Sequence, residues 1–266
     1  NQEAKKNPKT KKNPKTKKHP NLNKRKIYNK KYIFFYMSTT QQYKTYLVNL
    51  KRRPDRLEKF LEKYPLPDKQ NIVMIEAFDG KTPTENKYET NTYKDIQEKS
   101  RLAPGEIGCF LSHLHIWKKI INDNLPYALI FEDDTYFCDD FKEKWERIIQ
   151  SQLTPVDTIL YLGGRPNPNY ETFSGTMISQ DIIETNTQVD RDRTTHAYFL
   201  TKEGAQFLVK TFYEKMKNPY TTDKKYHFRA VDHYMLMAFR RANTRVHNTQ
   251  PHLTYSPIIE GESDTY

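Results

Sequence analysis

Glycine is scarce in this sequence, with eight in 266 residues, and neither GxGxxG nor GxxxxGK[ST] occurs. A phosphate cradle built from a glycine-rich loop is therefore not expected. Two cysteines, Cys109 and Cys138, exclude a disulfide-stapled scaffold and fall short of a four-cysteine zinc site. Each reads as a small buried hydrophobe. Long apolar runs are also missing. The best candidate, Tyr32 to Met37, has six residues, against the ~20 that a membrane-spanning helix requires. No secretory signal peptide is visible, because the basic N-terminus has no apolar stretch behind it. The chain as given is expected to be cytoplasmic.

Charge is present but unevenly placed. The net formal charge is +11, which for the whole chain suggests an anionic partner. Residues 1–32, however, hold thirteen Lys or Arg and a single acid, Glu3; the other 234 residues hold 31 basic and 32 acidic side chains. The basic region carries a tandem hexad, Lys5-Lys-Asn-Pro-Lys-Thr10 and Lys11-Lys-Asn-Pro-Lys-Thr16. Recurrent proline forbids a continuous helix and lysine repulsion forbids a core. Residues 1–36 are thus expected to be a disordered basic tail or linker, and 37–266 the folded domain. The tail reads either as an electrostatic anchor for an acidic partner or as a solvated spacer. The near-neutral body is not expected to bind nucleic acid.

From Tyr43 onward, strand-like and helix-like segments alternate. Strands are predicted over 43–50, 71–78, 127–131, 157–162, 195–200 and 244–247, and helices over 55–64, 104–122, 140–150, 202–216 and 230–242. Residues 79–103 are polar and irregular. In the helix over 104–122, Ile107, Phe110, Leu111, Leu114, Trp117 and Ile121 recur at helical spacing. This alternation predicts an α/β domain with a mostly parallel central sheet, whose ligands bind beyond the carboxyl ends of the strands.

That rule directs attention to the residues just past the end of each strand. After the third strand comes Glu132-Asp133-Asp134. Three adjacent carboxylates behind a buried strand repel one another and lose hydration unless a positive charge compensates, and a hard divalent cation such as Mn²⁺ or Mg²⁺ suits them. After the first comes Asn49-Leu-Lys51-Arg-Arg53-Pro-Asp55-Arg56, which reads as a phosphate clamp at a helix start or as a solvated basic turn. After the second comes Ala77-Phe-Asp79-Gly80, an acceptor for a ribose or base, or a plain Asp-Gly turn. Ser112, His113 and His115 lie on one helix. The two histidines, two residues apart, face different sides and cannot share a metal. Asp232 opens a late helix, where it favours the dipole or acts as a general base. A metal-dependent phosphohydrolase would need further acids after other strands, and Asp79 and Asp157 match that poorly.

Taken together these segments resemble glycosyltransferase family 25, the family of bacterial lipooligosaccharide β-galactosyltransferases and procollagen galactosyltransferases. The matching pieces occur in the family's order: Val48–Arg56, Ala77–Gly80, Pro104–His113, Ala128–Asp134, Tyr161–Gly164, Ala197–Ala205, Val231-Asp232 and Glu262-Ser-Asp264. They span about residues 43–266, and the basic tail has no counterpart. The resemblance implies a GT-A nucleotide-sugar transferase fold, a UDP-galactose or UDP-glucose donor and Mn²⁺ (or Mg²⁺). It implies transfer, with inversion, to a hydroxyl of a glycan or of collagen-like hydroxylysine. Glu132-Asp133-Asp134 then matches the DxD-type motif. Asp134 is first in line for the metal, with Glu132 or Asp133 acting directly, through water or on the ribose. Asn49, Lys51, Arg53, Arg56, Ala77 and Asp79 are candidates for the nucleotide, and Ser112 and His113 for the sugar pocket or the metal loop. Asp232 is the candidate base. His247 and His252 compete as a late metal ligand, and Asp264 is the remaining late acid. The competing expectation is a binding module acting through the basic tail, with an inactive transferase-like body.

Overall fold

The computed structural model describes residues 43–153, 156, 158–164, 175–185, 194–217 and 229–256. The basic tail, Asp157 and the Glu262-Ser-Asp264 segment lie outside them. The described residues belong to one compact unit, Gln41–Tyr266. In chain order they form β1 (Lys44–Asn49), α1 (Pro54–Lys63), β2 (Val73–Glu76), α2 (Thr90–Lys99), α3 (Pro104–Asn122) and β3 (Tyr127–Glu132). Next are β4 (Tyr136–Phe137), α4 (Phe141–Ser151), β5 (Ile159–Tyr161), β6 (Gly163–Gly164), β7 (Gly175–Met177) and β8 (Ile182–Thr185). The last are β9 (Ala197–Thr201), α5 (Lys202–Lys217), α6 (Val231–Arg241), β10 (Val246–Thr249) and β11 (Thr254–Tyr255).

Eight strands make the main sheet in the order β2-β1-β3-β9-β5-β10-β8-β7, and β4-β11-β6 make a small second one. The α/β architecture is the one the alternating pattern predicts. The sheet itself is mixed rather than mostly parallel. β1 runs parallel to β2 and β3, and β10 to β5. β9 runs against both β3 and β5, and β8 against β10 and β7. A strand covered on both faces shows the same apolar run in either direction, so its sequence does not encode its orientation.

Side-chain alternation divides the core in two. Tyr46, Val48, Ala128, Ile130, Tyr161, Tyr198 and Leu200 face one cluster with α2, α3, α5 and α6. Leu47, Leu129, Phe131, Leu160 and Phe199 face the other, with Phe60 of α1 and Phe141, Trp145 and Ile148 of α4. Helix α3 keeps its predicted bounds, and Ile107, Phe110, Leu111, Leu114 and Trp117 are all buried. Helix α2 corrects the reading of 79–103 as irregular. It buries only Tyr93 and Ile96, too few apolar anchors to raise a period in so polar a stretch.

Two close approaches place the start of α3. A Cβ at Gly108 would lie 2.4 Å from the carbonyl oxygen of Phe78, and one at Gly80 would lie 1.7 Å from that of Pro104. Glycine at these positions lets the turn after β2 rest directly on the helix backbone. Glu106 accepts the Ala103 backbone N–H at 2.7 Å, holding the helix entry in place.

Candidate functional site

The carboxyl ends of β1, β2 and β3 and the first turns of α3 enclose a cleft. Val48, Leu50, Arg52 and Arg56 line it from the first strand's side, Ala77 to Gly80 from the second, and Glu132, Asp133 and Asp134 from the third. Gly105, Cys109, Ser112 and His113 complete it from α3. The enclosed volume is about 100 Å³. A pocket that buries a whole ligand holds ~300–1,000 Å³, so the described residues enclose less than that.

Each acid in the run has a different environment. Glu132 closes β3, with its backbone N–H donated to the His196 carbonyl at 2.8 Å and its Oε1 3.0 Å from His113 Nε2. Burial opposes its charge, but His113, Thr195 and His196 together hold the Glu132 carboxyl below the ordinary glutamate value. Asp133 accepts Asn49 Nδ2 at 2.7 Å and Arg56 Nη1 at 3.1 Å. Burial still pushes it up to about 6 against those two partners. Asp134 Oδ2 accepts the Ser256 hydroxyl at 3.0 Å, while Oδ1 is buried with no hydrogen-bond partner among the described residues. Burial and repulsion from Glu132 and Asp133 push Asp134 up to about 7. A buried carboxylate oxygen left this way is what a hard divalent cation satisfies, so the residues present fit Mn²⁺ or Mg²⁺.

The predicted basic turn divides its cations differently from expectation. Arg53 forks onto Asp55, at 3.0 and 2.9 Å, and does not line the cleft. Lys51 is exposed. Asn49 also donates to the Arg53 carbonyl at 2.9 Å, so it braces the turn and Asp133 together. Arg52, which residue type alone did not single out from its neighbours, reaches the cleft and donates to Asp79 at 2.7 Å. Asp79 in turn accepts the Lys81 N–H at 2.9 Å, and the Ala77 N–H is donated to the Asn49 carbonyl.

On α3, the Ser112 hydroxyl donates to the Gly108 carbonyl and accepts the Phe78 N–H, both at 2.8 Å, so it ties the helix to the turn after β2. His113 is fully buried and points its other nitrogen at the Tyr198 hydroxyl, 2.8 Å away. His115 stacks on Tyr88 instead, as the spacing of the two histidines required. Cys109 is half-buried and lines the cleft, and Cys138 is half-buried too, which corrects the reading of both as buried hydrophobes. The signal was present in the sequence: Cys109 and His113 are four apart on one helix. Ser256 had no such signal.

The late candidates are spread out. Asp232, in the first turn of α6, accepts the His233 N–H at 2.6 Å, and its charge acts on Cys109. His252 is half-buried, four residues before Ser256, and its charge acts on buried His196. His247 is buried on β10 with Nε2 4.0 Å from Glu184, and neither histidine lines the cleft.

Carboxylates at the end of β3 and arginines on the turn after β1 thus meet in one cleft of an α/β domain. Residues 42–235 match the model of glycosyltransferase family 25 (LPS biosynthesis protein), and the chain belongs to that family. It is 32% identical over 158 residues to a procollagen lysyl hydroxylase and glycosyltransferase of Acanthamoeba polyphaga mimivirus, covering 54% of this chain and 17% of that protein. It is 31% identical over 174 residues to human procollagen galactosyltransferase 2, covering 62% and 27%. A bovine relative named as a probable inactive glycosyltransferase 25 family member 3 is 31% identical over 138 residues, covering 48% and 23%. The matched segments thus span between 17% and 27% of these relatives' lengths. Among solved structures, a glycosyltransferase involved in glycosylation of the major capsid of PBCV-1 aligns with a TM-score of 0.44 at 11% identity, covering 84% of this chain and 95% of that one. No helix among the described residues is long and apolar enough to cross a membrane.

Proposed function

We propose that this chain is a metal-dependent, inverting hexosyltransferase of GT-A type. In this reading it moves galactose, or glucose, from its UDP-sugar to a hydroxyl of collagen-like hydroxylysine or of a glycan. The observation that carries the reading is the acidic run at the end of β3, with a buried Asp134 oxygen that no described residue satisfies. Family membership and relatives named as procollagen galactosyltransferases support the donor and acceptor classes.

In this reading Asp134 and Glu132 hold the cation, with His252 ahead of His247 as the late ligand. When bound, that ion neutralises charge developing on the departing diphosphate. Arg52 binds the diphosphate from the facing turn, where its guanidinium is already fixed by Asp79. Arg56 and Asn49 hold Asp133 and so keep the acidic run in position. Asp79 and the backbone around Ala77 orient the nucleoside, and Asp232 takes the proton of the attacking hydroxyl. The protein contributes chiefly by aligning acceptor and donor.

The test is a screen of UDP-, GDP- and CMP-hexoses with Mn²⁺ and hydroxylysine or glycan acceptors. UDP-galactose or UDP-glucose turnover is expected, abolished by chelation and reduced at least ~100-fold by Asp134→Asn, since even outer-sphere changes cost metal sites 10–100-fold. Turnover untouched by either treatment overturns the reading. The charge of residues 1–32 favours a second reading, an inactive body carried by an anion-binding tail. It predicts salt-sensitive binding to nucleic acid or heparin with no turnover of any nucleotide sugar.

A further inference from the structure

Beside the oxygen-rich acidic run lies a different set of donors. Cys109 Sγ, a ring nitrogen of His113 and a carboxylate oxygen of Glu132 all lie within 4.8 Å of one another. Cys109 and His113 are one turn apart on α3 and present the same face, and β3 ends opposite them. The ring of His113 is already aimed. Its Nδ1 sits 2.8 Å from the Tyr198 hydroxyl, which also accepts Trp117 Nε1–H at 3.1 Å, and its Nε2 faces Glu132 at 3.0 Å. Outer partners of this kind orient metal-binding histidines. Burial first, and then the neighbouring acids Glu132, Asp232 and Asp134, push the Cys109 thiol well above its ordinary value, so a bound cation is what would favour its thiolate. A thiol, an imidazole and a carboxylate suit a borderline-soft ion such as Zn²⁺ and are a poor set for Mg²⁺ or Mn²⁺.

We propose that Cys109, His113 and Glu132 form a binding site for a zinc-class divalent ion on the floor of the cleft, with its remaining position open to the cleft. On binding, Sγ forms a bond to the metal and the thiol proton leaves to solvent. Neutral His113 binds through Nε2 and donates Nδ1–H to the Tyr198 oxygen. Glu132 belongs to both donor sets, so a soft ion here competes with a hard ion at Asp134. That last consequence rests on the function proposed above; the site does not.

The test uses the whole 266-residue chain, stripped of metal, and Co²⁺ as a spectroscopic stand-in for zinc. One equivalent is expected to produce a near-ultraviolet thiolate-to-cobalt charge-transfer band, which Zn²⁺ bleaches and Mg²⁺ does not. The band is expected to vanish in Cys109→Ser and to persist in Cys138→Ser and in Asp134→Asn. Absence of the band in the parent protein, or its survival in Cys109→Ser, overturns the proposal. A second arm needs no variant: stoichiometric Zn²⁺ is expected to slow iodoacetamide alkylation of Cys109 more than tenfold, leaving Cys138 unchanged. Equal rates at Cys109 with and without zinc overturn it as well. Both readouts are independent of sugar transfer, so their outcome and that of the donor screen are separable.

Discussion

At Asp134 a buried carboxylate sits beside two others, and one of its oxygens has no partner among the described residues. Its acid form is favoured in the fold, with the carboxyl raised from 3.8 to about 7. The native state therefore holds more protons than the unfolded chain between those values, and this group lowers stability as pH rises through that window. Metal-free protein is expected to lose melting temperature from pH 4 to pH 7 through this group, and Asp134→Asn to remove that part of the loss. Scanning calorimetry of both proteins across that range checks it; equal losses would contradict the assignment. A divalent cation is expected to restore stability to the parent and not to the variant. The two cleft arginines are expected to separate cleanly. Arg52 pairs with Asp79 at the surface, so Arg52→Ala costs little stability. It is expected to weaken UDP binding by about tenfold, the loss of one charge-assisted hydrogen bond, measured by calorimetric titration. Arg56 and Asp133 are much less exposed, at 15% and 8%. Arg56→Ala is expected to cost roughly 2 kcal/mol in urea unfolding, below the ~3–5 kcal/mol of a fully buried pair.

At the scale of elements, the cleft exists because α3 starts against the turn after β2. Gly108→Ala places a Cβ 2.4 Å from a backbone oxygen that cannot rotate away. The gain in helix propensity of ~1 kcal/mol is then outweighed by displacement of Phe78 to Gly80. A net loss of roughly 1–3 kcal/mol is expected in urea unfolding, the usual cost of overpacking, together with weaker UDP binding. Helix α3 was legible in the sequence because its burial is heavy enough to impose a period. Helix α2 was not, because two buried side chains in ten leave no stripe. Strand β7 was missed for a related reason. β7 is exposed throughout, so nothing in it alternates with a core. The Cys109–His113 pair was legible in spacing but had no meaning until β3 brought Glu132 to it.

For the whole molecule, charge and fold divide at nearly the same place. The family match begins at residue 42 and the compact unit at Gln41, while the excess positive charge lies in residues 1–32. A chain beginning at Gln41 is expected to keep the melting temperature and any UDP-hexose turnover of the full chain. It is expected to lose salt-sensitive retention on an anionic resin. Retention that survives the deletion would place the anion-binding surface on the body instead.

The linear pattern already specified the alternating α/β plan, the bounds of α3, the acidic run and the turns at the ends of the first three strands. These arise from local burial period and residue chemistry, which a chain displays before it folds. Strand direction, the choice of Arg52 over Arg53, the bond from Ser256 to Asp134 and the gathering of Cys109, His113 and Glu132 depended on the folded molecule. Each of these joins residues through hydrogen bonds or packing across the fold or sets one side chain against identical neighbours. Contacts of that kind arise from register and backbone approach, which composition and spacing do not record.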